Sequence, residues 1–155
     1  MEVVGAVSSV LSLIDVAIRS SDVIRSLVST WRDAPIGILA LGNEIEDSKS
    51  VLAHAYPLIY QLERAPSEPT NDADRHALAV AIHRQLGLAV PVWNELQAML
   101  ELLRDGGGGD GGGRVTCSKG VRFRWLKFQR KIGRLRETLR DRRFVLLELV
   151  VSSST

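Results

Sequence analysis

Large apolar side chains recur at alternating spacings of three and four residues in four separate segments of this 155-residue chain. That spacing places them on one face of an α-helix and forms the seam through which helices pack in a bundle. No segment alternates apolar and polar residues one by one over the length that a strand requires. The sequence therefore predicts an all-α protein, and its length and 45% hydrophobic content are enough for one domain with a core.

The first predicted helix covers residues 1–33, and Pro35 signals the start of the second, because proline is favoured in the first turn of a helix. The third is predicted to begin at Asn71 or Asp72, which cap helices well, and the fourth to run from about Ser118 to Val150. The predicted core positions are, helix by helix, Val3, Val7, Val10, Ile14, Ala17, Ile24, Val28 and Trp31; Ile38, Leu41, Ile45, Leu52, Ala55, Ile59 and Leu62; Ile82, Leu86, Ala89, Trp93, Leu96, Leu100 and Leu103; and Val121, Trp125, Phe128, Ile132, Leu135, Leu139, Leu146 and Leu149.

Four helices of this length predict an elongated antiparallel four-helix bundle, with one domain over residues 1–151 and a frayed tail or the start of a linker over 152–155. The glycine run at 106–113 predicts a disordered loop between the third and fourth helices. Pro57 predicts a kink near Ala53 or an early end of the second helix. Gly87 and Pro91, four residues apart, predict a bend in the third.

The sequence contains no recognisable catalytic constellation. Its glycine run lacks the Gly-Lys-Ser/Thr sequence and the preceding strand of a phosphate-binding loop. His76 and His83 are seven residues apart, but His54 and Cys117 lie on other elements, so a metal site is not expected. We therefore predict no enzymatic activity, no cofactor and no metal, and the single cysteine suits a reducing cytosol.

Charge is divided unevenly along the chain. Residues 1–113 hold 8 Lys/Arg and 15 Asp/Glu, whereas residues 114–155 hold 12 and 3. Such asymmetry points to an anionic membrane surface, to nucleic acid, or to an internal match between the basic last helix and acidic neighbours. No nucleic-acid-binding motif accompanies the arginines, so nucleic acid is not an expected partner, whereas basic residues around the apolar Trp125, Phe128 and Ile132 suit a membrane surface.

The first helix is richer in apolar residues than a solvated helix requires, because Val4, Leu11 and Ile18 widen its stripe at the adjoining heptad position. Glu2, the serines and Asp15 argue against a signal peptide, and residues 3–18 are shorter and more polar than the roughly 20 apolar residues of a transmembrane helix. We expect an ordinary bundle helix at rest, and its place at a free end makes release from the bundle feasible.

Three stretches resemble a known family. They are the opening Met1-Glu2-Val3-Val4-Gly5-Ala6-Val7-Ser8-Ser9-Val10-Leu11, then Trp31-Arg32-Asp33-Ala34-Pro35, and the pattern Trp125-Leu126, Lys131, Arg134-Leu135, Glu137, Leu139-Arg140-Asp141 and Arg143. Together they resemble the N-terminal domain of fungal STAND (NLR-like) receptors, in the HeLo-like and SesA-like group. The long glycine loop departs from the family, and no nucleotide-binding module or amyloid motif follows Val150.

The resemblance implies an effector of regulated fungal cell death, cytoplasmic at rest and at the plasma membrane on activation, which forms homo-oligomers when a nucleotide-binding receptor module triggers it. The implied membrane-inserting residues are Val3, Val4, Val7, Val10, Leu11, Ile14 and Ile18. The basic residues expected to bind anionic lipid or a partner are Arg122, Arg124, Lys127, Arg130, Lys131 and Arg134. The alternative is an adaptor domain that signals by protein–protein oligomerisation without membrane contact.

Overall fold

The computed structural model describes residues 5–31, 33–64, 72–105 and 119–154, which form four helices. These are α1 (Ala6–Thr30), α2 (Ile36–Arg64), α3 (Asp72–Asp105) and α4 (Lys119–Ser154), with no strand among the described residues. Their lengths of 25 to 36 residues correspond to about 38–54 Å at 1.5 Å per residue. The predicted all-α, elongated four-helix bundle is therefore confirmed, whereas the glycine run lies outside the described residues.

The bundle consists of two helical hairpins packed face to face. α1 packs against α2 and α3, and α4 packs against the same two helices, so that α1 and α4 occupy opposite corners and do not approach each other over the described residues. Within each hairpin the helices are antiparallel. Ser21 and Ile24 on α1 meet Glu46 and Gly42 on α2, respectively. Lys131 and Arg142 on α4 meet Glu95 and Gln85 on α3, respectively. α1 therefore lies in a groove between α2 and α3, on the far side from α4.

The predicted core stripes of α2, α3 and α4 are confirmed. Their large members are buried, including Ile45, Leu96 and Leu139, while Leu62, Phe128 and Leu149 are half-buried against the same core. Residue 48, the polar member of the α2 stripe, is a buried serine. A single apolar core spans the four helices because each contributes one stripe at helical spacing.

The stripe of α1 was predicted correctly on one side and wrongly on the other. Val10, Ala17 and Ile24 are buried, but Leu11 and Ile18, the predicted widening, are 48% and 44% exposed. The second buried row consists instead of Ala6, Leu13, Ser20 and Leu27. α1 buries two adjacent rows because it packs against both α2 and α3, and the row of Leu13 and Leu27 is absent from the predicted stripe.

Two predicted helix ends differ from the structure. α2 continues through Pro57 to Arg64, so an early end there is wrong. α3 is one helix through Gly87 and Pro91, and the predicted bend there stays a prediction. α4 ends at Ser154, four residues beyond the predicted Val150. Proline removes one backbone hydrogen bond, and apolar contacts on both sides of Pro57, from Ala55 and Ile59, hold the helix together.

One glycine allows a close approach between helices. A β-carbon at Gly37, in the first turn of α2, would lie 2.9 Å from Cζ2 of Trp125 on α4. Trp125 is buried and belongs to the core. Only a residue without a side chain fits between α2 and this indole ring in the packing observed.

Candidate membrane-binding surfaces

The N-terminal half of α1 carries aliphatic side chains on both its inner and its outer faces. Val10 is fully buried, Val7 and Ile14 are half-buried, and Leu11 and Ile18 are exposed to solvent. Val3 and Val4, the remaining predicted membrane-inserting residues, lie outside the described residues. The structure thus divides the described members of the set between core and surface rather than gathering them on one face.

Few polar interactions hold the start of α1. Residues 5–14 contain no charged side chain, and the N-cap residue Gly5 makes no side-chain capping bond. The first charged residue is Asp15, which pairs with Arg19 one turn later on the exposed side. A glycine N-cap costs only a few tenths of a kcal/mol relative to a serine or aspartate, and no acidic side chain in the first turn of α1 interacts with the helix dipole.

Polar groups lie in the middle of the buried face of α1. The Ser21 hydroxyl donates a hydrogen bond of 2.5 Å to Oε1 of Glu46 on α2, and Lys49 lies 2.9 Å from the other carboxylate oxygen. The hydrogen bond from Ser21 is the largest cause that lowers the pKa of Glu46, and the interaction with Lys49 is the next largest. Ser20 is fully buried, and its hydroxyl has no hydrogen-bond partner among the described residues. A buried hydroxyl without a partner costs about 1–3 kcal/mol, which lowers the stability that the packing of α1 contributes.

The first half of α4 is a continuous basic surface. Residues 119–136 contain eight Lys/Arg and no Asp/Glu. Of the six predicted binding residues, Arg124 is half-buried, and the other five are exposed. Lys131 forms a 2.8 Å ion pair with Glu95 on α3, whereas Arg122, Arg130 and Arg134 have no ion pair within the described part of the chain. The internal charge match that the sequence allowed therefore accounts for only part of the basic helix.

The assignment of Trp125, Phe128 and Ile132 to that surface was wrong. Trp125 and Ile132 are buried in the core and Phe128 is half-buried, because this row faces the interior of the bundle. The apolar side chains that face solvent are Phe123 and Leu126, which are 71% and 64% exposed. They are three residues apart and therefore share a side of α4, away from Trp125. That spacing is the sequence signal by which they could have been identified as an exposed apolar pair.

The second half of α4 is fixed to α2 by a buried ion pair. Nε of Arg143 lies 2.7 Å from Oε1 of Glu44, and a second guanidinium nitrogen lies 3.2 Å from Oε2. The side chains are only 15% and 9% exposed, and the hydrogen bond to Glu44 raises the pKa of Arg143. Arg143 also stacks over the ring of Phe144, with its Cζ 4.7 Å from the ring centroid. This part of α4 is structural, unlike the exposed basic surface nearer its start.

The described residues hold no group of three or more His, Cys, Asp or Glu side chains that could bind a metal. Within those same ranges, none of the helices has an apolar stretch long enough to cross a bilayer. Cys117 lies outside the described residues. Two surfaces of the described residues are the candidates for function, namely the outer face of α1 and the basic face of α4.

Comparison with known proteins yields no relative: no protein-family model, curated protein or solved structure matches this chain. The resemblance to the N-terminal domains of fungal NLR-like receptors accordingly stays a prediction.

Proposed function

We propose that this chain is a helical effector domain of regulated cell death, which oligomerises under an NLR-like receptor and inserts the N-terminal segment of α1 into the plasma membrane. One observation carries the proposal. The segment from Val7 to Ile18 bears exposed aliphatic side chains outside the core as well as buried ones within it, so the resting bundle leaves part of its apolar area in water.

A bilayer would remove that remaining area from water. Leu11 and Ile18 are each about half exposed, and full burial of such a side chain is favourable by roughly 1.5–3 kcal/mol, so each has about 1 kcal/mol still to gain. Release also exposes the core beneath α1, and this cost is why a resting monomer keeps the helix in place. Oligomerisation favours release when it covers the groove between α2 and α3, because a small bias between two states then shifts their populations.

The topology allows α1 to leave while the rest of the bundle keeps its contacts. α4 contacts both α2 and α3, and these two contact each other. The three helices α2, α3 and α4 therefore retain their mutual interfaces when α1 leaves. The Ser20 hydroxyl, which has no hydrogen-bond partner among the described residues, lowers the cost of that departure.

Dye release from anionic vesicles tests this function. The full chain, with and without a fused oligomerising module, is compared with Leu11→Gln/Ile18→Gln, whose target side chains are exposed, so the fold is retained. Leu88→Gln on α3, which replaces a leucine that is 41% exposed, is the matched control. We expect the oligomerised chain and the control to release dye and the double variant to lose most of that release. Equal release by all three would rule out insertion of α1.

A disulfide that locks α1 in the bundle separates release from surface binding. A β-carbon at Gly42 on α2 would lie 3.2 Å from Cγ2 of Ile24, which brings the two positions near the roughly 3.5–4.5 Å between β-carbons that a disulfide requires. Ile24→Cys/Gly42→Cys, with Cys117→Ser, should be inactive when oxidised and active again after reduction. Self-association without any dye release would favour the adaptor function instead.

A further inference from the structure

The outer side of α4 carries a surface that neither the core nor α1 uses. It consists of Arg122, Phe123, Leu126, Lys127, Arg130 and Arg134, and we refer to it as the α4 docking face. Successive members are one, three or four residues apart, which keeps them on one side of the helix, away from the buried row of Trp125 and Ile132. They extend over about 18 Å of helix at 1.5 Å per residue.

We propose that the α4 docking face binds the surface of an anionic phospholipid bilayer while the four-helix bundle stays intact. Phe123 and Leu126 would enter the region between headgroups and acyl chains, and the surrounding cations would contact lipid phosphates and carboxylates. Two large apolar side chains, exposed to 71% and 64%, lie among exposed cations, of which Arg122, Arg130 and Arg134 have no ion pair within the described ranges. This is the pattern of a helix that lies in a membrane interface.

The charge of the α4 docking face favours an anionic bilayer as its ligand. Residues 119–136 contain only basic charges, and among the described residues Arg122, Arg130 and Arg134 have no acidic partner. Each cation near an anionic leaflet contributes about 1 kcal/mol, and the attraction fades within a Debye length. Nucleic acid would also attract the cations, but a base could stack only on the Phe123 ring, whereas a bilayer interface accommodates both Phe123 and Leu126.

The position of α4 separates this docking from insertion. α4 lies at the corner opposite α1, so a bundle that binds lipid through α4 keeps α1 seated between α2 and α3. Docking therefore does not require release of α1. It also does not depend on the proposed function, because a chain could bind lipid through α4 without ever releasing dye.

Vesicle co-sedimentation of the full chain tests the proposal. Phosphatidylcholine vesicles are used with and without phosphatidylserine, at low and at high salt. We expect binding only to the anionic vesicles, and weaker binding at high salt. Arg122→Gln/Arg130→Gln/Arg134→Gln should lower the partition coefficient about 100-fold. Phe123→Ala/Leu126→Ala should lower it roughly tenfold, since two partly inserted side chains are truncated.

Two control variants on α3 replace exposed residues of the same kinds, Arg84→Gln and Leu88→Ala, and both should bind like the native chain. Thermal unfolding of every variant checks that the bundle is intact. Equal binding to neutral vesicles, or unchanged binding of either α4 variant, would overturn the proposal. So would displacement of the chain from vesicles by single-stranded RNA, which would identify nucleic acid as the ligand of this face.

Co-sedimentation and dye release together distinguish the two proposals. Leu11→Gln/Ile18→Gln should bind anionic vesicles normally and lose most of the dye release. If that variant fails to bind while the α4 variants bind normally, docking takes place through α1, and the α4 docking face is wrong although the proposed function stands.

Discussion

Replacement of Arg143 by methionine should be among the most destabilising single changes in the bundle. The substitution keeps much of the side-chain volume but leaves the Glu44 carboxylate buried with one hydroxyl neighbour, Ser48, at 3.4 Å. It also removes the stacking of the guanidinium over Phe144. The energetic reason is the cost of an uncompensated buried charge, not the intrinsic strength of the ion pair.

The magnitude follows from how little of the pair meets water. Loss of one partner from a buried pair costs about 3–5 kcal/mol, and side-chain exposures of 15% and 9% place this pair at the lower end of that range, near 3 kcal/mol. In a chain of this size each kcal/mol lowers the melting temperature by roughly 2–4 °C, so Arg143→Met should melt about 6–12 °C earlier.

Urea unfolding followed by circular dichroism at neutral pH measures the effect. The double variant Glu44→Leu/Arg143→Met removes both charges and should recover most of the loss, to within about 1 kcal/mol of the native chain. Lys131→Met breaks the exposed pair with Glu95, whose side chains are 57% and 46% exposed, and should cost less than about 1 kcal/mol. A loss at Arg143→Met no larger than at Lys131→Met would refute the reasoning.

Three further substitutions test the packing and the electrostatics of the bundle. Gly37→Ala places a β-carbon 2.9 Å from the Trp125 ring and should destabilise the bundle by about 1–3 kcal/mol in urea unfolding. A β-carbon at Gly133 meets nothing within 4 Å, so Gly133→Ala should stabilise the bundle by about 0.5–1 kcal/mol. A gain in stability at both positions would contradict this packing. Because the folded-state pKa of Glu46 is lowered, its contribution to stability is present above its unfolded pKa and is lost as pH falls through the folded value. Glu46→Gln should therefore show a shallower loss of stability than the native chain as pH falls below about 4.5, and parallel urea midpoints of the two chains across that range would exclude the effect.

The sequence predicted most of α2, α3 and α4 because each has one dominant apolar row. Ile45, Leu96 and Leu139 lie in rows whose flanks are polar over most of their length, so only one orientation buries the apolar residues. The Pro57 position shows the limit of local reasoning. A proline lowers helix propensity by about 3 kcal/mol, but contacts distributed along a 29-residue helix outweigh it.

The first helix could not be oriented from its sequence. Leu11 and Leu13 are equally apolar, and each belongs to a row at helical spacing, yet Leu13 is buried and Leu11 is exposed. The choice depends on where α3 lies relative to α2, which is a property of the tertiary arrangement. α4 differs from α1 in this respect. Trp125 belongs to the apolar row of Val121 and Ile132, whereas Phe123 does not, so the sequence was enough to place Trp125 in the core, where it packs against Gly37.

Charge partners were predictable as a class but not individually. The acidic body and the basic last helix suggested an internal match, and Glu44 and Glu95 do meet Arg143 and Lys131. Which cations stay outside the match depends on the rotation of α4 about its axis. That rotation directs Arg122, Arg130 and Arg134 away from the acidic residues of α2 and α3.

The two outer helices of the bundle are held by different kinds of contact. α4 is fixed to α2 by the buried Glu44–Arg143 pair and by Trp125 against Gly37, contacts whose loss leaves a charge or a large ring without its neighbour. α1 is held mainly by apolar contacts, and at its centre Ser20 lies buried without a hydrogen-bond partner among the described residues. Apolar contacts are non-directional and re-form in lipid, whereas a bidentate ion pair does not. If one helix of this bundle exchanges protein for membrane, physical chemistry selects α1 to move and α4 to stay with the body.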